Sequence, residues 1–143
     1  MASNTNRPQI PQDMGAFNKK IIEEFRANRG QLGGPLAASK LILLTTTGAK
    51  SGEPRTVVIG YRPDGDRYVT IASNNGSDVP PSWFANLLAN PIATVELGPE
   101  KFQVTASVAG ADERSRLAAR IEYLAGQQAL TSREIPIVVL ERV

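Results

Sequence analysis

Between residues 45 and 55 the chain reads TTTGAKSGEPR, and this stretch holds its densest set of groups able to grip an anion. Gly48 and Gly52 permit backbone conformations with positive φ, so successive N–H groups can converge on one oxygen-rich group. Ser51 adds a hydroxyl donor, while Lys50 and Arg55 add charge. The phosphate loop of nucleoside triphosphatases is excluded, because no glycine directly precedes Lys50 and a β-rich run follows where a helix would have to begin. The same composition also describes a hairpin loop with solvated charges. A second stretch, SNNGSDVPPSWFANLLAN over residues 73–90, places Ser73, Asn74, Asn75 and Gly76 at the end of a strand, where they offer small hydrogen-bonding groups. The only tryptophan, Trp83, follows at the start of a helix. It either covers a flat ring system or fills the core beneath the loop.

The residue types that are missing narrow the chemistry further. The chain has no cysteine and no histidine. Thiolate nucleophiles, disulfides, cysteine-held zinc or iron–sulfur sites, Ser-His-Asp triads and imidazole metal ligands are therefore excluded. An enzyme built from this chain has few catalytic side chains of its own, which points toward a borrowed cofactor, and no metal is expected. Hydrophobic residues are 41% and charged residues 21%, ordinary for a globular protein, and the net charge is +2. That charge is unevenly spread: residues 1–55 carry eight Lys/Arg against four Asp/Glu, and residues 56–143 carry eight against ten. A basic first portion suits an anionic ligand such as a phosphate or polycarboxylate.

A scaffold of 143 residues has length for one domain that must hold both stretches in place. Residues 1–13 read as a flexible N-terminal arm and residues 14–143 as the domain. Met14, Phe17, Ile21 and Phe25 form one apolar stripe, predicting a helix over 14–28 with Asp13 as its cap and Gly30 as its stop. Strands are expected at 40–47, 55–62, 67–73, 92–97, 101–108 and 135–140. A Ser82 cap begins a helix over 83–89, and Asp112 caps another whose stripe is Leu117, Ile121 and Leu124. Pro63-Asp64-Gly65-Asp66 and Gly98-Pro99 are turn signals. The result is an α+β chain of about six mainly antiparallel strands and about three helices, whose sheet protects its edges most simply by curling into a small barrel. A doubly wound parallel sheet would need a helix after nearly every strand.

Four segments in order, TTTGAKSGEPR, YRPDGDRYVTIASNNG, PPSWFANLLANP and REIPIVVLERV, resemble the deazaflavin-dependent nitroreductase family. The likeness runs from Phe17 to the C-terminus. It implies a split β-barrel related to that of flavin-mononucleotide-binding oxidoreductases. It also implies coenzyme F-420, an 8-hydroxy-5-deazaflavin with a phosphate and an oligoglutamate tail. Members transfer hydride from the reduced coenzyme to quinones, nitroaromatics, or conjugated lactones of the coumarin and furanocoumarin type. By position, Lys50, Ser51, Gly52 and Arg55 match the family's phosphate and tail contacts, and Val57 and Val58 the strand that passes the ring. Ser73, Asn74, Asn75 and Gly76 match the loop at the deazaflavin edge, with Trp83 and Asn86 on the helix beside it. Ala49 stands where many members have arginine, Asn74 where lysine is common, and Pro80 where a histidine precedes the Pro-x-Trp. The tyrosine-rich segment of the nitroimidazole-activating members is reduced here to Tyr123.

On this reading the cofactor carries the chemistry and no side chain is assigned as catalytic; Tyr61, Tyr68, Tyr123 or water protonates the product. The partner is a small-molecule electron acceptor. Two alternatives use the same barrel: a reductase dependent on flavin mononucleotide (FMN), and a non-catalytic carrier of F-420. Nucleic acid is not expected, since aromatic residues are only 6% and no dense basic stripe appears. The apolar runs at 41–44 and 137–140 are too short to cross a bilayer, and residues 1–13 lack the apolar core of a secretory signal. A cytoplasmic protein is expected, with a weak peripheral contact at the membrane surface as an alternative use of the first helix. Oligomeric state is left open.

Overall fold

The run LILLTTT is apolar on both sides because its strand is covered on both. In the computed structural model, β1 (Leu41–Thr47) buries Ile42 and Leu44 toward one face and Leu43 toward the other, each with 0% exposure. The structure describes residues 14–33 and 40–143. The arm, the Asp13 cap and the side chains of Met14 and Phe17 lie outside the described residues. What remains of the first stripe behaves as its spacing predicts. Helix α1 (Met14–Ala27) lays Ile21 and Phe25 against Leu43 and Leu32, with Val58 and Leu41 at the margin. Gly30, at φ +85°, stops the chain after it. Arg26 ties the helix to the sheet through a two-bond contact with Glu96, at 3.0 and 2.7 Å.

The remaining strands are β2 (Pro54–Gly60), β3 (Arg62–Asp64), β4 (Arg67–Ile71), β5 (Ile92–Leu97), β6 (Glu100–Val108) and β7 (Ile137–Arg142). They form one sheet in the order β2-β1-β5-β6-β7-β4-β3, and every pairing is antiparallel. That order forces the sheet to curl. Its two terminal strands, β2 and β3, are separated in the chain by Tyr61 alone. The corner is closed by the Tyr61 N–H donating to the Lys40 carbonyl at 3.2 Å and the Thr70 hydroxyl donating to the Gly60 carbonyl at 2.7 Å. The expected strand over 55–62 is therefore two strands broken at this corner, which raises the count among the described residues to seven. The split β-barrel expectation stands.

Strand alternation sorts the core into an inside and an outside. Ile42, Leu44, Val95, Val104, Val138 and Leu140 face inward, where helix α2 (Ser82–Ala89) seats Trp83 and Leu87 against them. The outer side of β4 and β7 is covered by α3 (Ala111–Ala118) and α4 (Leu124–Gln128), through Leu117, Ile121 and Leu124. Burial of such side chains stabilises the fold by roughly 1.5–3 kcal/mol each.

Three expectations about helix ends are corrected. Ser82 is not the cap of α2 but its first residue; Pro81, extended at φ −68° and ψ 153°, stands at the cap with no side-chain bond. Asp112 likewise lies inside the first turn of α3, whose cap position is Gly110. The single helix expected from the stripe Leu117, Ile121, Leu124 is two. Between them the backbone tightens to three-residue spacings, with Arg120, Ile121 and Leu124 N–H groups donating to Leu117, Ala118 and Ile121 carbonyls. All three stripe residues stay buried, because spacings of three and four residues share a face over so short a stretch. The last strand begins at Ile137 rather than 135. Pro136 has no N–H to give a ladder, although its carbonyl accepts from Ala72 at 3.0 Å.

Candidate functional site

The loop between β1 and β2 is closed by its own hydrogen bonds. Gly48 N–H donates to the Glu53 carbonyl at 2.8 Å and Gly52 N–H to the Gly48 carbonyl at 2.9 Å. Glu53 N–H donates to Ser51 Oγ at 3.1 Å, which leaves that hydroxyl's proton free to point outward. A Cβ on Gly48 would stand 2.5 Å from Ser51 Oγ, so any side chain there would expel the hydroxyl from the loop. Lys50, Ser51, Gly52 and Arg55 are all exposed. Arg55 meets Glu53 only at 3.8 Å, and an exposed pair of this kind is worth about 1 kcal/mol or less, so its charge can be redirected to a ligand.

The loop is fastened from below by Asn86, which is 8% exposed on α2. Its Oδ1 accepts from the Ala49 N–H at 2.9 Å and its Nδ2 donates to Thr46 Oγ1 at 3.1 Å. Both ends of the amide are thus spent inside the protein. Asn86 sits under the loop as a support, and Trp83, one turn earlier on the same helix, is 6% exposed in the inner core and edge-on to Phe84. The sequence left open whether Trp83 covers a ring or fills the core; its side chain packs the core. Val57 faces inward with Ile59, while Val58 faces outward beneath α1, so no single ring can lie against both.

The second stretch forms a 3₁₀ turn at Asn74–Gly76. Asn74 is left-handed at φ +48°, and its Nδ2 donates to the Val79 carbonyl at 2.9 Å, folding the side chain back along the loop. Gly76 is buried at φ +78°, where a Cβ would stand 2.6 Å from Leu130 Cδ1. The Asn75 side chain lies outside the described residues. Ser73 is half-buried at the head of the turn. Through residues 77–81 this stretch runs directly into α2, so one helix carries both loops.

Sequence reasoning missed what holds the turn. Arg133 extends its guanidinium to three carbonyls: Nη2 donates to Ala72 and Ser73, each at 3.0 Å, and Nε donates to Ser77 at 2.9 Å. Gln128 braces it in turn, donating to the Arg133 carbonyl at 2.6 Å and accepting from Ile135 N–H at 2.9 Å. Thr131 donates to Asp78 at 2.6 Å. The signal was present in REIPIVVLERV, but nothing local connects Arg133 to a turn about 60 residues earlier.

A family model described as F420H(2)-dependent quinone reductase, F420H(2) being reduced coenzyme F-420, matches residues 18–142. The chain belongs to this family. It is accordingly an F-420-dependent reductase. An F420H(2)-dependent quinone reductase of Mycobacterium tuberculosis is 37% identical over 128 residues, covering 82% of this chain and 85% of the relative. Another protein of that organism, with the name putative F420H(2)-dependent quinone reductase, is 33% identical over 103 residues, covering 69% of this chain and 87% of its own length. Among solved structures, an F420-H2 dependent reductase superposes with a TM-score of 0.65 at 34% identity, covering 71% of this chain and 93% of that one. Neighbours below 25% identity, including a FAD-binding protein and haem proteins, share the fold alone. None of these findings favours the flavin-mononucleotide alternative.

For an F420H(2)-dependent quinone reductase, the donor set at the first loop fits a phosphate and a carboxylate tail. Lys50, Arg55, the Ser51 hydroxyl and the glycine-bounded turn are exposed on a base anchored by Asn86. The tyrosines are less well placed. Tyr61 and Tyr123 stand at the Gly60 end of β2, roughly 20 Å along the strand from the loop. Tyr61 packs on Tyr68 with ring centroids 5.9 Å apart, and Tyr68 on Phe102 at 5.7 Å. Burial pushes the Tyr61 and Tyr123 hydroxyls up from their ordinary pKa. Among the described residues the buried Tyr123 hydroxyl has no hydrogen-bond partner, and the Arg62 guanidinium lies over its ring at 4.8 Å. Among the described residues no group of three Asp or Glu side chains is positioned to hold a metal ion, and no helix is long and apolar enough to cross a membrane.

Proposed function

We propose that this protein reduces a quinone at the expense of reduced coenzyme F-420, with nitroaromatics and conjugated lactones as further acceptors. The observation that carries the reading is the first loop, whose exposed cations rest on a base locked to α2 through Asn86. Lys50, Ser51, Gly52 and Arg55 hold the phosphate and the acidic tail. The turn at Ser73, Asn74, Asn75 and Gly76 borders the deazaflavin ring, and the inward face of β2 at Val57 lies beside it. Val58 acts at one remove, by seating α1 on the sheet, and Trp83 and Asn86 support the two loops rather than touch the ring.

When bound, the reduced coenzyme supplies a hydride from its central ring carbon and a proton from its ring nitrogen, the two electrons and two protons that turn a quinone into a hydroquinone. The protein's part is to bind, orient and exclude water, which is why a chain without histidine or cysteine suffices. Where the acceptor needs a proton from elsewhere, Tyr61, Tyr68 or water supplies it; Tyr123 is shut away beneath Arg62. Fluorescence titration with F-420, FMN and a nicotinamide cofactor, followed by turnover with a benzoquinone, a nitroaromatic and a coumarin, tests the proposal. Saturable F-420 binding with quinone reduction is expected. Preference for FMN overturns it, and tight F-420 binding without turnover on any acceptor reassigns the protein as a carrier.

A further inference from the structure

We propose that Arg133 is a positioning residue of the coenzyme site, setting the backbone of residues 72–77 and lending it positive charge. The inference rests on the functional reading above, in which that segment borders the ring. Three carbonyls converge on one guanidinium, from Ala72, Ser73 and Ser77, and so fix the entry, head and exit of the 3₁₀ turn. A planar guanidinium does this with little further loss of freedom, because its donors are already held in a fork. Lysine, a single point charge on a flexible stem, cannot reach all three in one geometry.

The charge is as informative as the geometry. The other arginines around the sheet corner and α3 are met by carboxylates: Arg62 by Glu122, and Arg67, Arg116 and Arg120 by Asp64. Among the described residues no carboxylate stands within ion-pair distance of Arg133, whose guanidinium donates to carbonyl oxygens. Asp78 is drawn instead to Thr131, and Glu134 lies 3.7 Å from Arg114. Half-buried and without an ion pair among the described residues, the Arg133 charge acts through the turn on whatever rests against it. It favours an electron-rich or anionic ring edge. The turn also needs such a brace, since left-handed Asn74 and the close packing of Gly76 on Leu130 are arrangements a free loop would leave.

Arg133→Gln and Arg133→Lys test the idea in the full chain. Hydrogen exchange followed by mass spectrometry reads the brace itself. Amides of residues 72–79 are expected to exchange on the order of tenfold faster in Arg133→Gln, with the helices and the rest of the sheet unchanged. Steady-state kinetics read the function: KM for reduced F-420 rises and kcat falls, each on the order of tenfold, and Arg133→Lys recovers the affinity more than kcat. The absorption band of bound F-420 shifts in both variants. A merely structural arginine would lower the melting temperature and the active fraction but leave KM and the band of the folded fraction unmoved, and that result overturns the proposal. Unchanged exchange at 72–79 overturns it as well. If wild type neither binds nor oxidises reduced F-420, the functional reading fails by itself, and the exchange experiment still reports on the brace.

Discussion

Replacing Asn86 with alanine separates the support of the first loop from the loop's own chemistry. The side chain makes two hydrogen bonds, to the Ala49 N–H and to Thr46 Oγ1, from a position 8% exposed. Each bond contributes about 0.5–1.5 kcal/mol net, and a polar group left buried without a partner costs about 1–3 kcal/mol. The two lost partners are unequal. Ala49 is exposed, so water can take over its N–H, whereas Thr46 is 1% exposed and keeps its hydroxyl in the core. The sum is about 2–4 kcal/mol, a fall in melting temperature of roughly 10 °C for a chain of this size. Coenzyme binding weakens too, because the base of the cationic loop is no longer held.

Stability and binding come apart in the double variant Thr46→Val with Asn86→Leu. Both buried polar groups between strand and helix are then replaced by apolar ones of similar volume, and stability returns to within about 1.5 kcal/mol of wild type. The Ala49 N–H remains unheld, so the F-420 dissociation constant stays raised. Differential scanning calorimetry and fluorescence titration on wild type, the single variant and the double variant make the comparison. A double variant that binds F-420 as tightly as wild type refutes the fastening role of Asn86. An Asn86→Ala protein melting with wild type refutes the burial arithmetic.

Three further outcomes follow from the same structure. Lys50→Ala and Arg55→Ala each raise the F-420 dissociation constant, by about tenfold at low salt and less at 0.5 M salt, as expected for exposed charges on an anionic tail; titration at two ionic strengths reads both. Tyr123→Phe removes a buried hydroxyl that has no partner among the described residues, so turnover is unchanged and stability is equal or about 1 kcal/mol higher, and lost turnover in a pH–rate profile would instead make Tyr123 the proton donor. Hydrogen bonds from Arg116 and Arg67 hold the Asp64 carboxyl down from 3.8 to about 2, so the stability it supplies is complete above pH 3.8 and lost as pH falls through about 2. Thermal melting from pH 5 to pH 2 is expected to drop steeply in wild type and less in Asp64→Asn, whose starting stability is lower because three arginines lose their shared carboxylate.

The sequence by itself determined the local part of this protein. Alternation in residues 101–108 and the three-four spacing of Ile21 and Phe25 placed a strand and a helix, because those periods follow from backbone geometry alone. The same alternation sends Val57 and Val58 to opposite faces, a consequence legible without coordinates. The glycines and cations of TTTGAKSGEPR marked the anion loop, and the absence of histidine and cysteine directed attention to a cofactor. Tertiary structure decided what depends on distant chain segments meeting. The strand expected at 55–62 breaks at Gly60 because the sheet's two edges are joined through Tyr61, a demand of topology that residues 55–62 do not encode. Resemblance matched Asn86 to the coenzyme site; only the packing of α2 shows its amide shared between β1 and the first loop. Arg133 had no visible role until the curl of the sheet brought it against Ala72, Ser73 and Ser77. Periodicity is carried by neighbours in the chain; the partners of a buried polar group are chosen by packing, and packing is settled only when the whole sheet closes.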